Sequence, residues 1–114
     1  MTEKLIDPQA AVDFMIAKSK AYAQSEANKV YMEELRKTIK AEQMIEAELR
    51  DHKTAAMQER EAYASQPYKE HLLALQHAVE VREELRWMLI AAQARIEVWR
   101  SQEASSRAEG KATI

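Results

Sequence analysis

Apolar residues recur along most of this chain at intervals of three and four positions, the period of an amphipathic α-helix. In the first half they form one stripe, which continues more weakly through Ile39, Ile45, Leu49 and Ala56. Its main members are Val12, Met15, Ile16, Tyr22, Ala23, Ala27, Val30, Tyr31 and Leu35. Asp7 followed by Pro8 is typical of a helix start, with Asp as the N-cap and Pro at the first helical position. The pattern predicts one helix over residues 8–62, preceded by a flexible leader, 1–7.

The only credible turn falls at residues 63–67, because Pro67 disfavours helical geometry at Gln66. Ser65 or Gln66 can cap the helix that follows. We predict a second helix over 67–108, stopped near Gly110, and a flexible tail over 109–114. Together these elements predict an all-α protein in which two long helices form an antiparallel, coiled-coil-like hairpin over 8–108 that assembles into a helical bundle. A continuous helix kinked at Pro67 is the alternative.

The second helix carries two apolar stripes on different faces. The first keeps a heptad-like seam, in which Arg82 is the single polar interruption. Its members are Leu75, Ala78, Arg82, Leu85, Leu89, Ala92, Ile96 and Trp99. The second consists of Trp87, Ile90, Ala91, Ala94 and Val98. Because a two-helix hairpin covers only one face of each helix, we predict that the second stripe is a protein interface, either with another copy or with a different protein.

Composition agrees with long helices. The 114 residues include one Gly, two Pro and no Cys, and 32% are charged. The 17 basic and 19 acidic residues nearly balance, so the net charge of −2 gives no general attraction to nucleic acid or anionic membrane. Without a signal peptide or an apolar segment long enough to span a bilayer, we expect a soluble cytoplasmic protein that does not enter membranes. Glu33-Glu34-Leu35-Arg36 recurs as Glu83-Glu84-Leu85-Arg86, which helix duplication or chance would explain.

Residues that could carry chemistry are sparse. The three histidines, His52, His71 and His77, have no spacing that lets a helix hold a metal, and they are expected at the surface or near the turn. One glycine excludes a Gly-rich phosphate loop. We therefore expect no enzyme activity, no metal and no cofactor. Direct nucleic-acid binding stays open as an alternative because the second helix is rich in arginine, although glutamates are interleaved. The candidate contacts are Arg86, Arg95, Arg100 and Arg107.

Three segments carry a resemblance. They are residues 60–65 (REAYAS), Leu85-Arg86-Trp87, and residues 91–100 (AAQARIEVWR). Over residues 55 to 112 the chain resembles small uncharacterised helical proteins of tailed bacteriophages and prophages, which are often encoded near phage genes for recombination and single-strand annealing. The resemblance implies a phage origin, a location in the host-cell cytoplasm and a role as an accessory to DNA recombination or replication. A phage inhibitor of a host nuclease or defence complex is a further alternative. No site residues can be carried over.

Overall fold

The structure, a computed structural model, describes residues 5–112 and is all-helical over that range. It contains three helices and no strand there: α1 (Pro8–Leu49), α2 (Ala55–Ala64) and α3 (Gln66–Ala112). The predicted all-α class is therefore confirmed. None of these helices combines the length and the apolar character that crossing a membrane requires.

The start of α1 follows from its first residues. The Asp7 side chain accepts hydrogen bonds from the backbone N–H groups of Gln9 and Ala10, at 3.0 and 3.1 Å. Two of the N–H groups that a helix start leaves without partners are thereby satisfied, and Pro8 has no N–H to satisfy. The predicted N-cap is confirmed. Residues 1–4 of the predicted leader lie outside the described residues.

The prediction of a single helix over 8–62 is wrong, because the chain leaves helical geometry between Leu49 and Ala55. The Ala47 carbonyl accepts hydrogen bonds from the N–H groups of both Arg50 and His52, and Asp51 adopts a φ of 75°. This left-handed residue ends α1 in the way that a glycine usually does, and Asp tolerates it better than most side chains. Thr54 then caps α2, its hydroxyl accepting from the Met57 N–H at 3.2 Å.

The second junction is much tighter than the predicted turn over 63–67. Only Ser65 separates α2 from α3, with an extended backbone at φ −70° and ψ 151°. Its hydroxyl donates to the Ala62 carbonyl at 2.6 Å and accepts from the Tyr68 N–H at 3.3 Å. Ser65 is thus the predicted cap of the following helix, and Pro67 lies in that helix's first turn. With two interruptions, the chain is not the continuous kinked helix of the alternative.

The end of α3 also differs from its prediction. The helix continues past residue 108 and through Gly110 as far as Ala112, so the described part of the predicted flexible tail is helical. Gly110 has no positive φ, and beyond its chain neighbours and the adjacent helix backbone no heavy atom lies within 4 Å of the position that a Cβ would occupy. It therefore does not stop the helix, since only a left-handed backbone would make glycine a C-cap. Residues 113 and 114 lie outside the described range.

Two compact units divide the chain: Met1–Tyr22 with Glu84–Ile114, and Ala23–Glu83. In the first unit the buried apolar residues are Ala11 and Ala92. In the second they are Ala47, Ala62, Tyr68 and Ala78. Small side chains therefore provide most of the buried apolar positions in each unit, and no large side chain among the described residues is fully buried. Such packing lets helix backbones approach closely but removes little apolar area from water.

Candidate protein-interaction surface

One face of α3 is covered by the rest of the chain. Every residue of this α3 seam is buried or half-buried, and successive members are three or four positions apart. The seam comprises Tyr68, His71, Leu75, Ala78, Arg82, Leu85, Leu89, Ala92, Ile96 and Trp99. The predicted seam from Leu75 to Trp99 is thus confirmed, and it extends back to Tyr68. Alternating steps of three and four keep side chains on one helix face, which is the coiled-coil pattern.

The five predicted interface residues lie outside that seam, and all five are exposed. They define the α3 outer face: Trp87, Ile90, Ala91, Ala94 and Val98. The Trp87 side chain is the largest of them and is 60% exposed, while Ile90 and Val98 are 40% and 47% exposed. The two stripes that the sequence separates are therefore separate in the structure. Whether a partner covers the outer face stays a prediction.

The stripe predicted on α1 matches the buried face poorly. Met15, Tyr22 and Leu35 are half-buried, but the other six predicted positions are exposed. Those six are Val12, Ile16, Ala23, Ala27, Val30 and Tyr31. The buried residues of α1 are Ala11, Ser25, Gln43 and Ala47. The prediction fails because the covered face of α1 includes small and polar residues as well as large ones such as Phe14 and Met32, which are half-buried, and the predicted stripe follows a different face.

Polar contacts join α1 and α3 within the unit Ala23–Glu83. The Nε2 of His71 donates to the Met32 carbonyl oxygen at 2.6 Å, and His71 is buried. Of the two expected locations for the histidines, at the surface or near the turn, His71 occupies the second, six positions after Ser65. The Arg82 guanidinium binds the carboxylate of Glu26 on α1 and also that of Glu83, at 2.6 Å. Arg82, the polar interruption of the seam, is therefore held by carboxylates from both helices. Buried polar groups without partners would be costly, and these have partners.

A cluster at the other end of this unit was not foreseen from the sequence. The Lys40 ammonium lies 3.0 Å from the Glu59 carboxylate and 4.7 Å from the centre of the Tyr63 ring. Interaction with Tyr63 and then with Glu59 raises the pKa of Lys40 above its usual value. The hydrogen bond from Lys40 lowers the pKa of Glu59. Lys40 and Glu59 lie 19 positions apart on different helices, so helical periodicity contains no signal for the pair.

A shallow cavity of about 740 Å³ opens in the other unit, between the start of α1 and the middle of α3. Its apolar lining includes Phe14, Met88 and Ala91, and Asp7 and Arg95 lie among them. Ala91 belongs to the α3 outer face, so the cavity and that face meet along one edge. The cavity adds apolar surface to a face that is already exposed.

The four arginines predicted as candidate nucleic-acid contacts do not form one basic face. Arg86, Arg100 and Arg107 are separated by multiples of seven, which places them on one side of α3, whereas Arg95 lines the cavity. The Arg86 guanidinium lies 5.3 Å from the centre of the Trp87 ring. Arg100 pairs with Glu97 at 3.3 Å. Phosphate binding at Arg100 would therefore compete with a carboxylate that is already in place.

Within residues 5–112, no group of three or more His, Cys, Asp or Glu side chains is arranged to hold a metal ion. Comparison with protein-family models, with curated proteins and with solved structures finds no match to this chain.

Proposed function

We propose that this chain is a non-enzymatic helical interaction protein that docks another protein through the α3 outer face. The observation that carries the proposal is the position of Trp87. It is 60% exposed among other exposed apolar residues, on a face of α3 that lies outside the covered α3 seam. Large aromatic side chains of this kind commonly anchor protein interfaces.

The proposal includes antiparallel pairing of α1 and α3 as a helical hairpin, with α2 as part of the connection. Three contacts support it. Lys40 pairs with Glu59, the Met32 carbonyl with His71, and Glu26 with Arg82. As the residue number falls along α1, the number of its partner rises, which is the order expected of antiparallel segments. Short connections between helices favour the same arrangement.

Assembly into a helical bundle is the next part of the proposal. It is supported by the small side chains at the buried positions of each unit and by the absence of any fully buried large side chain among residues 5–112. Fully burying one large apolar side chain contributes roughly 1.5–3 kcal/mol. A partner that covered Trp87, Ile90 and Val98 would add apolar burial that the chain does not achieve alone. The partner is proposed to be a protein because the face is mainly apolar.

The proposed biological setting is a tailed phage, in which the protein assists DNA recombination or replication by binding itself or a recombination protein. The resemblance of residues 55 to 112 to small phage proteins is the sole support for this part. None of the comparisons bears on it. The docking proposal is independent of this setting, since it depends on the exposed apolar residues of α3.

A photo-crosslinking amino acid in place of Trp87 tests docking directly. Irradiation of cells that make this variant should give discrete protein adducts, and adducts to a second copy count among them. The same amino acid at Lys37 is the control, because the Lys37 side chain is 72% exposed and belongs to α1 rather than to the α3 outer face. No protein adduct at position 87, or equal adducts at both positions, would refute docking through this face.

Direct nucleic-acid binding is the second candidate, favoured by the common side that Arg86, Arg100 and Arg107 share. Gel shifts at several salt concentrations test it, because phosphate contacts weaken steeply as salt rises. We expect no tight complex with single- or double-stranded DNA at physiological salt. A complex that forms there and is lost in Arg100→Glu and Arg107→Glu would replace docking with nucleic-acid binding as the proposed function.

A further inference from the structure

A cleft of about 330 Å³ lies within one unit of the chain, where residues of α1, α2 and α3 come together. Its lining combines positive charges with phenol rings. The lining residues are Arg36, Lys37 and Lys40 of α1, Tyr63 of α2 and Tyr68 of α3. No Asp or Glu is among the described residues that line it. Every lining side chain carries an N–H or O–H group that can donate a hydrogen bond, so the cleft suits an anion.

The three cations of the cleft are neighbours on one side of α1. Arg36 and Lys40 are four positions apart, and like charges at that spacing destabilise a helix unless something offsets them. Glu34 pairs with Lys37 at 3.3 Å, and Glu59 pairs with Lys40 at 3.0 Å. The Arg36 guanidinium makes no ion pair or hydrogen bond with any other residue in the range 5–112. Two carboxylates therefore offset three cations, and the guanidinium is the group left for a ligand.

The opposite wall of the cleft is held in place by aromatic contacts. The rings of Tyr63 and Tyr68 meet edge to face, with centres 5.2 Å apart and planes at 79°. Tyr68 is only 9% exposed, although it lines the cleft. The Lys40 ammonium lies 4.7 Å from the centre of the Tyr63 ring. Because these three side chains are already fixed by the fold, a ligand that binds them causes little further loss of side-chain freedom.

Among anions, a phosphate monoester matches this set of donors best. Its phosphoryl group carries a charge of about −1.5 to −2 at pH 7 and offers three acceptor oxygens. A guanidinium binds two phosphate oxygens at once through its planar fork, and an ammonium group adds a point charge. A carboxylate offers a single charge and two oxygens, which is what Glu34 and Glu59 already supply.

We propose that this cleft binds a small phosphate monoester, with the Arg36 guanidinium as the main contact of the phosphoryl group and the other lining residues as further donors. The site is separate from the docking function proposed above, because none of its residues belongs to the α3 outer face. A ligand that contacts all three helices binds the folded chain and not the unfolded one. It should therefore raise the melting temperature as its concentration rises.

Titration with phenyl phosphate, followed by NMR shifts of the backbone amides, tests the site. The shifts should saturate below about 10 mM ligand and should be largest at the lining residues. Arg36→Gln should weaken binding several-fold. Arg50→Gln is the matched control, because it removes the same charge from an exposed arginine that does not line the cleft. Equal losses in the two variants would mean that only overall charge attracts the ligand, and would refute the site.

Glu59→Gln supplies a test of opposite sign. It removes a carboxylate that competes for Lys40, so phenyl phosphate should bind several-fold more tightly than to the wild type. Unchanged or weaker binding would contradict a role for Lys40 as a donor to the ligand. Circular dichroism of each variant checks that it remains helical, so that loss of binding is not mistaken for loss of the fold.

The charge and size of the ligand are tested by a series of compounds. Phenyl phosphate should bind several-fold more weakly at about pH 5 than at about pH 7.5, because its second charge is lost near pH 6. Diphenyl phosphate keeps a single charge over this range and controls for titration of the protein. Equal binding of the diester at pH 7.5 would overturn the monoester and point to a nucleic-acid backbone. Equal binding of inorganic phosphate would overturn the ester and identify free phosphate as the ligand.

Discussion

α1 and α3 have similar lengths, 42 and 47 residues, yet the apolar stripe read from the sequence coincides with the covered face on α3 and not on α1. On α3 the heptad-spaced apolar residues form the covered seam, and a second apolar set lies outside. On α1 the covered positions include Ala11, Ser25, Gln43 and Ala47, whereas Ile16 and Tyr31 are 68% and 62% exposed. The difference shows that an apolar stripe identifies a face suited to burial but does not say which element covers it.

Substitution of a buried alanine on each helix is the strongest test of this comparison. Ala47 on α1 is fully buried and Ala78 on α3 is 4% exposed, so Ala47→Leu and Ala78→Leu should each cost about 1–3 kcal/mol of unfolding free energy through overpacking. Urea denaturation measures the loss. The matched controls are the exposed Ala41→Leu and Ala74→Leu, which should change stability by less than about 0.5 kcal/mol. If Ala47→Leu costs no more than Ala41→Leu, small residues are not required on the covered face of α1.

A substitution at the end of α1 should have a smaller effect, and it should stabilise the protein rather than destabilise it. Asp51 holds a φ of 75°, a conformation that is strained for side chains with a Cβ and easy for glycine. Asp51→Gly should therefore raise the free energy of unfolding by about 0.5 kcal/mol, after the greater freedom of glycine in the unfolded chain is subtracted. Thermal unfolding measures the gain. Lys53→Gly, in the same connection, is the control and should not stabilise. Equal effects of the two substitutions would show that Asp51 is not strained.

The smallest effect concerns the ion pair between α1 and α2. Since the pKa of Glu59 is lowered in the folded protein, its ionised form stabilises the fold above the usual range of a glutamate, and this contribution is lost as the pH falls through the lowered pKa. The pKa of Lys40 is raised in the folded protein, so its charged ammonium group stabilises the fold at pH values below the usual pKa of a lysine. This contribution is lost as the pH rises through the raised pKa.

Comparison of the wild type with Glu59→Gln over pH tests this reasoning. The stability difference should be nearly constant from about pH 6 to pH 9 and should shrink below about pH 4, where the wild-type carboxyl group is protonated. Lys37→Gln is the control for removing an exposed charge, because Lys37 pairs within α1, with Glu34 at 3.3 Å. A difference that persists unchanged at pH 2 would mean that Glu59 acts through packing rather than charge.

The features that could be predicted from the sequence are those that depend on interactions between residues close together in the chain. The caps at Asp7 and Ser65 satisfy N–H groups two or three positions away, and the α3 seam repeats every seven residues, so both are visible in one segment. The break at Asp51 was missed because neither Gly nor Pro marks it. The covered face of α1 was misassigned because apolar periodicity favours Val12 and Val30, whereas Ser25 and Gln43 are buried and an apolar pattern cannot mark polar residues.

The order of the contacts in the unit Ala23–Glu83 has a consequence for how the chain can acquire its structure. The partners Lys40 and Glu59 are 19 positions apart, Met32 and His71 are 39 apart, and Glu26 and Arg82 are 56 apart. Each contact encloses the previous one. Each doubling of a loop adds only about 0.6 kcal/mol of closure entropy, so once the innermost pair has formed, each outer pair closes at a small further cost. Formation of the fold can therefore proceed outward from the connection between α1 and α2, around Asp51, in a sequence of short closures.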